Sequence, residues 1–197
     1  MRVTVAIPTH PPRLRSGLLD RALRSVWAQT VTPAAVSVAV DLDRAGAWAT
    51  RARALEAVCT EWTAFLDSDD ELLPQHLWEL GTCAADTGAD YVYSWPRTVG
   101  GTNPHEHWFG VPWRNAEPHD TTITVLVRTE LARAVGFSGP HGGEDLRFTL
   151  GCVAAGARIV HLPKRTWIWH HHAANTSGRP DRWGAGDVHT SRLAELS

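Results

Sequence analysis

The chain has 197 residues, 43% of them apolar and 20% charged, with a formal net charge of -2. That length is enough for one full-sized hydrophobic core, and the near-neutral charge without a basic cluster argues against a nucleic-acid binder, which needs many phosphate-neutralising cations. No apolar stretch is long enough to span a bilayer, the first seven residues are too short an apolar run for a secretory signal, and Cys59, Cys83 and Cys152 are too scattered for a disulfide framework. A soluble cytoplasmic protein with buried, reduced thiols is expected.

In chain order, residues 3–7 are a predicted strand, followed by Pro8-Thr9-His10-Pro11-Pro12, where the paired prolines predict an extended loop. Residues 18–29 carry Leu18, Leu19, Ala22, Leu23, Val26 and Trp27 at helical spacing, with Arg21 and Arg24 outward. Residues 36–40 are a second strand that ends at Asp41-Leu42-Asp43. Residues 47–59 read as a helix with Ala52, Leu55, Val58 and Cys59 inward and Arg51 and Arg53 on other faces. Residues 63–66 form a third strand, residues 72–87 a helix opening near Pro74 and ending at Gly88, and residues 91–95 a fourth strand.

This β-α-β-α-β-α-β alternation predicts an α/β fold with a mostly parallel sheet and helices on its faces. Ligands of such sheets bind outside the carboxyl ends of the strands. Thr9, Asp41 and Asp67 each lie at such an end, so three strands bring polar groups to one rim. The second half is less regular. Residues 96–120 are rich in Gly, Pro, His and Trp and read as a long loop. Residues 121–127 alternate as a strand, 130–135 form a short helix, 136–143 a flexible glycine-rich run, and 144–155 a helix. Residues 158–162 and 166–172 read as two strands, and 181–197 as a polar tail. A boundary near Pro96 separates two lobes of one domain.

Three clusters carry candidate chemistry. Residues 63–70 read T-A-F-L-D-S-D-D: an apolar strand that ends in three carboxylates. Acids packed so closely repel one another unless they hold a cation or share a proton; the competing reading is a polar turn with Asp69 or Asp70 near a helix cap. Glu144 and Asp145 open a helix, where acids also complement the helix dipole. His170 and His172 share one face of a strand while His171 points away. A zinc site using His170 and His172 competes with a surface role, although the chain has no H-E-x-x-H. Among the ten tryptophans, Trp95, Trp167 and Trp169 fall near the predicted cleft, as sugar-stacking platforms or as packing.

The series V-A-I-P-T-H, L-x-x-A-L-x-S-V-x-A-Q-T, V-A-V-D and T-R-A-R-A-L, then A-F-L-D-S-D-D and G-G-E-D-L-R-F, resembles the GT-A fold glycosyltransferases of the large inverting family two. The resemblance runs to about Ser177 and leaves out residues 97–119 and the tail. It implies a Rossmann-like GT-A fold with a nucleotide-sugar-binding half over residues 1–96, a smaller acceptor-side lobe over 97–177 and a tail over 178–197. Pro8, Thr9, His10 and Arg13 would line the nucleotide-sugar pocket, with Ser68 and Trp95. Asp41 would accept a hydrogen bond from the base, with Asp43 as the rival for that role. Arg51 falls where the family has an Arg-Asn pair, but Ala52 replaces the Asn. Asp67 would meet the ribose or a metal-bound water. Asp69 of the DXD-type motif would bind Mn²⁺ or Mg²⁺, joined by His172 or its rival His170; an imidazole ligand favours Mn²⁺.

The resemblance further implies that Asp145 is the base of a single displacement and that Glu144 holds the acceptor. UDP is the commonest donor nucleotide of the family. The acceptor is expected to be a glycan or a protein, and the short chain suggests a partner or a homodimer that completes the acceptor site. Two other functions compete: a nucleotidyltransferase, which normally has a glycine-rich loop where this chain has H-P-P-R-L-R, and a nucleotide-sugar or glycan binding module without turnover.

Overall fold

A computed structural model describes residues 1–138 and 143–172. The expectations for residues 139–142, including Gly142, and for the tail lie outside the described residues. The elements are β1 (Val3–Thr9), α1 (Pro11–Arg15), α2 (Leu18–Trp27), β2 (Ala35–Val40), α3 (Ala47–Glu56), β3 (Trp62–Phe65), β4 (Glu71–Leu72), α4 (His76–Thr87), β5 (Tyr91–Val99), a 3-10 turn (Glu106–Trp108), β6 (Val125–Arg128), α5 (Thr129–Val135), α6 (Glu144–Ala154) and β7 (Ile159–His170).

One seven-stranded sheet has the order β2-β1-β3-β6-β5-β7-β4. β1 pairs in parallel with β2 and β3, and β5 with β7. β6 runs antiparallel between β3 and β5, and β4 antiparallel to β7. Five strands therefore point the same way, as the alternating first half predicts.

The period of two along the strands sorts the core into two layers. Val3, Val5 and Ile7 of β1, Ala64 of β3, Val92 of β5 and Leu126 of β6 face α2 and α4. Ala6, Phe65, Tyr91, Tyr93, Val125 and Val127 face α3, α5 and α6. Helices cover both faces, and the carboxyl ends of β1, β2 and β3 remain as the rim the sequence predicts.

Several local expectations are corrected. Pro11 and Pro12 start α1 instead of holding an extended loop, because the first positions of a helix have no N–H bond for proline to break. Trp27 is 57% exposed, not inward. Leu72 is not helical: with Glu71 it pairs with Trp167 and Ile168 as an edge strand, and α4 begins only after Pro74. β5 continues through Pro96 to Val99 against β7, so the two halves of the chain share one sheet. Predicted strands 158–162 and 166–172 are one strand. Residues 121–124 precede β6 rather than belonging to it. Of the three thiols only Cys152 is buried; Cys59 is exposed. No helix among the described residues is long and apolar enough to cross a membrane.

Candidate active site

The strand ends and the start of α6 face one cavity of about 420 Å³. Thr9 closes β1, Asp41 follows β2, Asp67 follows β3 by way of the buried Leu66, and Glu144 and Asp145 open α6; all five line the cavity. Gly143 starts α6 in the left-handed region at φ 71°, which favours glycine, and provides no side-chain cap. The first-turn acids of α6 are thus free to turn toward another partner.

That partner is Arg51. The helical pattern places it off the apolar face of α3, and its side chain is only 5% exposed. Its Nη2 donates to both oxygens of Asp67 at 2.9 and 3.1 Å, and its Nη1 donates to Asp145 Oδ1 at 3.0 Å and Glu144 Oε1 at 3.3 Å. One guanidinium therefore ties D-S-D-D to E-D. Burial works against its charge, but Asp145, Asp67 and Glu144 together outweigh it and hold Arg51 firmly protonated. Burial pushes the Asp145 carboxyl up to about 7; Arg51 pulls it down, while Asp67, Glu144 and Asp120 add repulsion.

Asp67, Asp69 and Asp70 offer oxygens that lie within 4.8 Å of one another. Asp69 Oδ2 accepts from Arg13 Nη2 at 2.5 Å and lies 3.0 Å from His172 Nε2. The main-chain oxygen of Asp69 accepts from Arg21 Nη2 at 2.5 Å. Asp70 Oδ1 accepts the His170 backbone N–H at 3.0 Å. Its burial, followed by the charges of Asp69 and Asp67, holds the Asp70 carboxyl well above the usual carboxylate range. Three hard oxygen donors this close, with an imidazole beside them, could hold a divalent cation.

The expected residues divide between those the cavity gathers and those it does not. Pro8, Thr9, His10, Arg13, Asp41, Arg51, Asp67, Glu144 and Asp145 line it. Burial, then the charge of Arg13, lowers the pKa of His10. Asp41 accepts the backbone N–H groups of Ala45 and Gly46 at 2.9 and 3.0 Å, which fixes its orientation. Asp43, the rival, is instead 65% exposed and paired with Arg53 at 2.8 Å, which lowers its pKa. Ser68 is fully buried and accepts from Arg13 Nη1 at 3.4 Å. Asp69 is not itself a lining residue, whereas Arg13, its ion-pair partner, and Asp70 are. His172 lies beside Asp69, while the His170 ring is 2.6 Å from Glu71 Oε1. Trp167 and Trp169 line the cavity, but Trp95 does not: it is 1% exposed and packs on Tyr93, Phe109 and His161.

The cavity wall also includes Asp70, which the sequence reading named only as one of three acids, and His105, Asp120 and Thr122, to which it assigned no role. Asp70 stood in plain view within the acidic motif. The other three belong to no motif, and only the folded path of residues 100–124 brings them here. Thr9 Oγ1, Thr122 Oγ1, Glu144 Oε2, Arg51 Nε and Trp167 Nε1 are buried and have no hydrogen-bond partner among the described residues. Buried polar atoms are rarely left unpaired, so such a group around one cavity suits a polar ligand.

The fold is of the GT-A, Rossmann-like type. The chain resembles a 1–349 fragment of S. aureus TarS in complex with UDP-GlcNAc, with a TM-score of 0.75 at 18% identity over 89% of this chain and 60% of that one. The same fragment in complex with UDP gives 0.69 at 18% identity over 87% of this chain and 61% of that one. A longer S. aureus TarS structure gives 0.71 at 19% identity over 87% of this chain and 37% of that one. The chain thus spans about 60% of the length of the fragment structures it matches. No protein-family model matches the sequence, and no curated protein matches it.

Proposed function

We propose that this chain is a metal-dependent inverting glycosyltransferase that moves a sugar from a nucleoside-diphosphate sugar, with UDP as the nucleotide, to an acceptor hydroxyl. One observation carries this reading: Asp67 from the end of β3 and Asp145 from the start of α6 are joined by Arg51 across a single cavity. The fold shared with TarS, whose structures hold UDP-GlcNAc and UDP, supports the choice of donor.

In this reading Pro8, Thr9, His10 and Arg13 form the nucleotide wall. Asp41, already fixed by two backbone N–H groups, keeps lone pairs to accept the base N–H. Asp69 and His172 would hold Mn²⁺ or Mg²⁺, with Asp67 and Asp70 close by. Such a cation would supply positive charge to offset the charge that builds on the departing diphosphate. Asp145 takes the proton of the attacking hydroxyl, Glu144 orients the acceptor, and Arg51 keeps Asp145 aimed. Base catalysis needs the carboxylate form of Asp145.

The experiment that tests the reading is a thermal-shift panel of nucleotide sugars with and without Mn²⁺, since a ligand that binds only the folded chain raises its melting temperature. A UDP-sugar together with Mn²⁺ is expected to raise the melting temperature clearly more than either alone. In Asp69→Asn, Mn²⁺ should add nothing. The absence of a shift with any nucleotide sugar contradicts the reading.

A pH dependence follows from Asp145. Its pKa of about 7 in the folded chain lies above that of an exposed Asp, so the carboxyl binds a proton as pH falls through about 7. The kcat/KM for transfer should therefore fall on that acidic side and level off above it. Initial rates from about pH 5 to about pH 9 check this, and a level profile across the window contradicts it.

A further inference from the structure

The sheet ends in β2 on one side and in β4 on the other. A sheet edge presents a row of unpaired N–H and C=O groups, and proteins guard such edges with short strands, charge, proline or bulges. β4 is guarded: it has two residues, and its Glu71 pairs with Arg21 at 3.4 Å and lies 2.6 Å from His170 Nε2. β2 is not. It runs for six residues, Ala35–Val40, in unbroken register with β1, and among the described residues no strand lies on its other side. Residues 25–40 contain no charged side chain, and Pro33 stops short of the strand.

Ser37 Oγ donates to the Ala54 carbonyl of α3 at 2.7 Å, so Ala35, Ser37 and Ala39 turn toward α3 and Val36, Val38 and Val40 toward the other face. Val38 is 40% exposed. The chain enters and leaves β2 with more open apolar surface: Val31 is 40% exposed and Leu42 is 77% exposed. The strand that fits such an edge is uncharged and valine-rich, and β2 is itself one. Reversed across a two-fold axis at Val38, β2 sets Val36 against Val40, Ser37 against Ala39 and Val38 against its own copy. Large side chains then meet on one face and small ones on the other. Leu42 comes to Ala34 of the second copy, close to its Val31. Asp41 and Asp43 come to Ala35 and Pro33, so no like charges stand opposite one another. A two-fold contact needs this kind of self-complementary patch.

We infer that β2 is the interface between two copies of this chain, paired antiparallel so that their two sheets join into one. The pairing satisfies the open backbone groups of the edge and takes Val31, Val38 and Leu42 out of water. None of these three lines the cavity, so the inference stands apart from the glycosyltransferase reading.

The test is sedimentation equilibrium of the full chain over a wide concentration range, with amide hydrogen exchange measured at both ends of that range. The expected mass rises from one chain to two, and the outward-facing amides of residues 35–40 exchange slowly only in the dimer. Val38→Lys sets two ammonium groups against each other at the axis and removes an apolar side chain from each copy. It should weaken association by about tenfold or more, while the single chain keeps its melting temperature. If Val38→Lys does not fold, exchange in the unaltered chain decides. A chain that stays single at every concentration, a dimer whose β2 amides exchange as fast as in the single chain, or a dimer that Val38→Lys leaves equally tight overturns the inference. Slow β2 amides in a chain that stays single would assign the edge to another part of the same chain, and overturn it too.

Discussion

Asp145→Asn is expected to bind a UDP-sugar and Mn²⁺ as the unaltered chain does, yet transfer sugar some hundred- to ten-thousandfold more slowly, the range a positioned general base contributes. The substitution keeps size and shape. It removes the negative oxygen that lies 3.0 Å from Arg51 Nη1, and with it the group that accepts a proton. Arg51 still holds both oxygens of Asp67 and reaches Glu144, so the wall keeps its cation and most of its geometry. A helix-dipole role for Asp145 predicts a different result: a small loss of stability and a nearly unchanged rate. Comparing kcat with the nucleotide-binding constant separates the two, and near-normal transfer by this variant removes Asp145 as the base.

Arg51→Gln should be the most damaging substitution for the fold. Removing one partner of a buried ion pair strands the others, at a cost of about 3–5 kcal/mol. Asp67 and Asp145 keep 29% and 33% of their side-chain surface open, so solvent screening favours the low end, about 3 kcal/mol. For a chain of this length that is a fall in melting temperature of roughly 10 °C. The sign of the pH response is also specified. Burial already raises the Asp145 carboxyl, and without Arg51 it loses the charge that pulls it down, so it binds its proton more tightly in the folded chain than in the unfolded one. Stability of the variant should therefore recover as pH falls from about 8 to about 5, as protonation of Asp145 relieves the repulsion. A variant as stable as the parent, with no such recovery, rules out the strut. Arg51→Lys should restore part of the stability but not the fork that reaches three carboxylates at once.

How far the sequence was legible follows from which forces act locally. The short apolar runs at residues 3–7, 63–66 and 91–95 reflect strands buried on both sides, and the sheet and its rim followed from them. The apolar residues of α2 and α4 were readable for the same reason. The helical pattern put Arg51 off the apolar face but could not show that it is buried, because only the distant Asp67, Glu144 and Asp145 make its burial tolerable. β4 escaped notice because two residues, Glu71 and Leu72, carry no period; their strand pairing comes from β7, almost a hundred positions later. His105 and Asp120 had no local signature at all. Their place is set by the stacking of Trp108, Trp113 and His119 on the sheet, a contact between side chains that sequence patterns do not record.

The pairing of Asp69 with Arg13 and His172 makes the central claim open to direct inspection. The decisive measurement is a crystal structure of the chain with UDP and Mn²⁺. The account predicts the diphosphate in the cavity between Thr9 and Asp145, uracil near Asp41, and one Mn²⁺ held by Asp69 beside the diphosphate. Nucleotide bound elsewhere on the chain, or a Mn²⁺ that reaches the phosphates with no contact to Asp69, would contradict it.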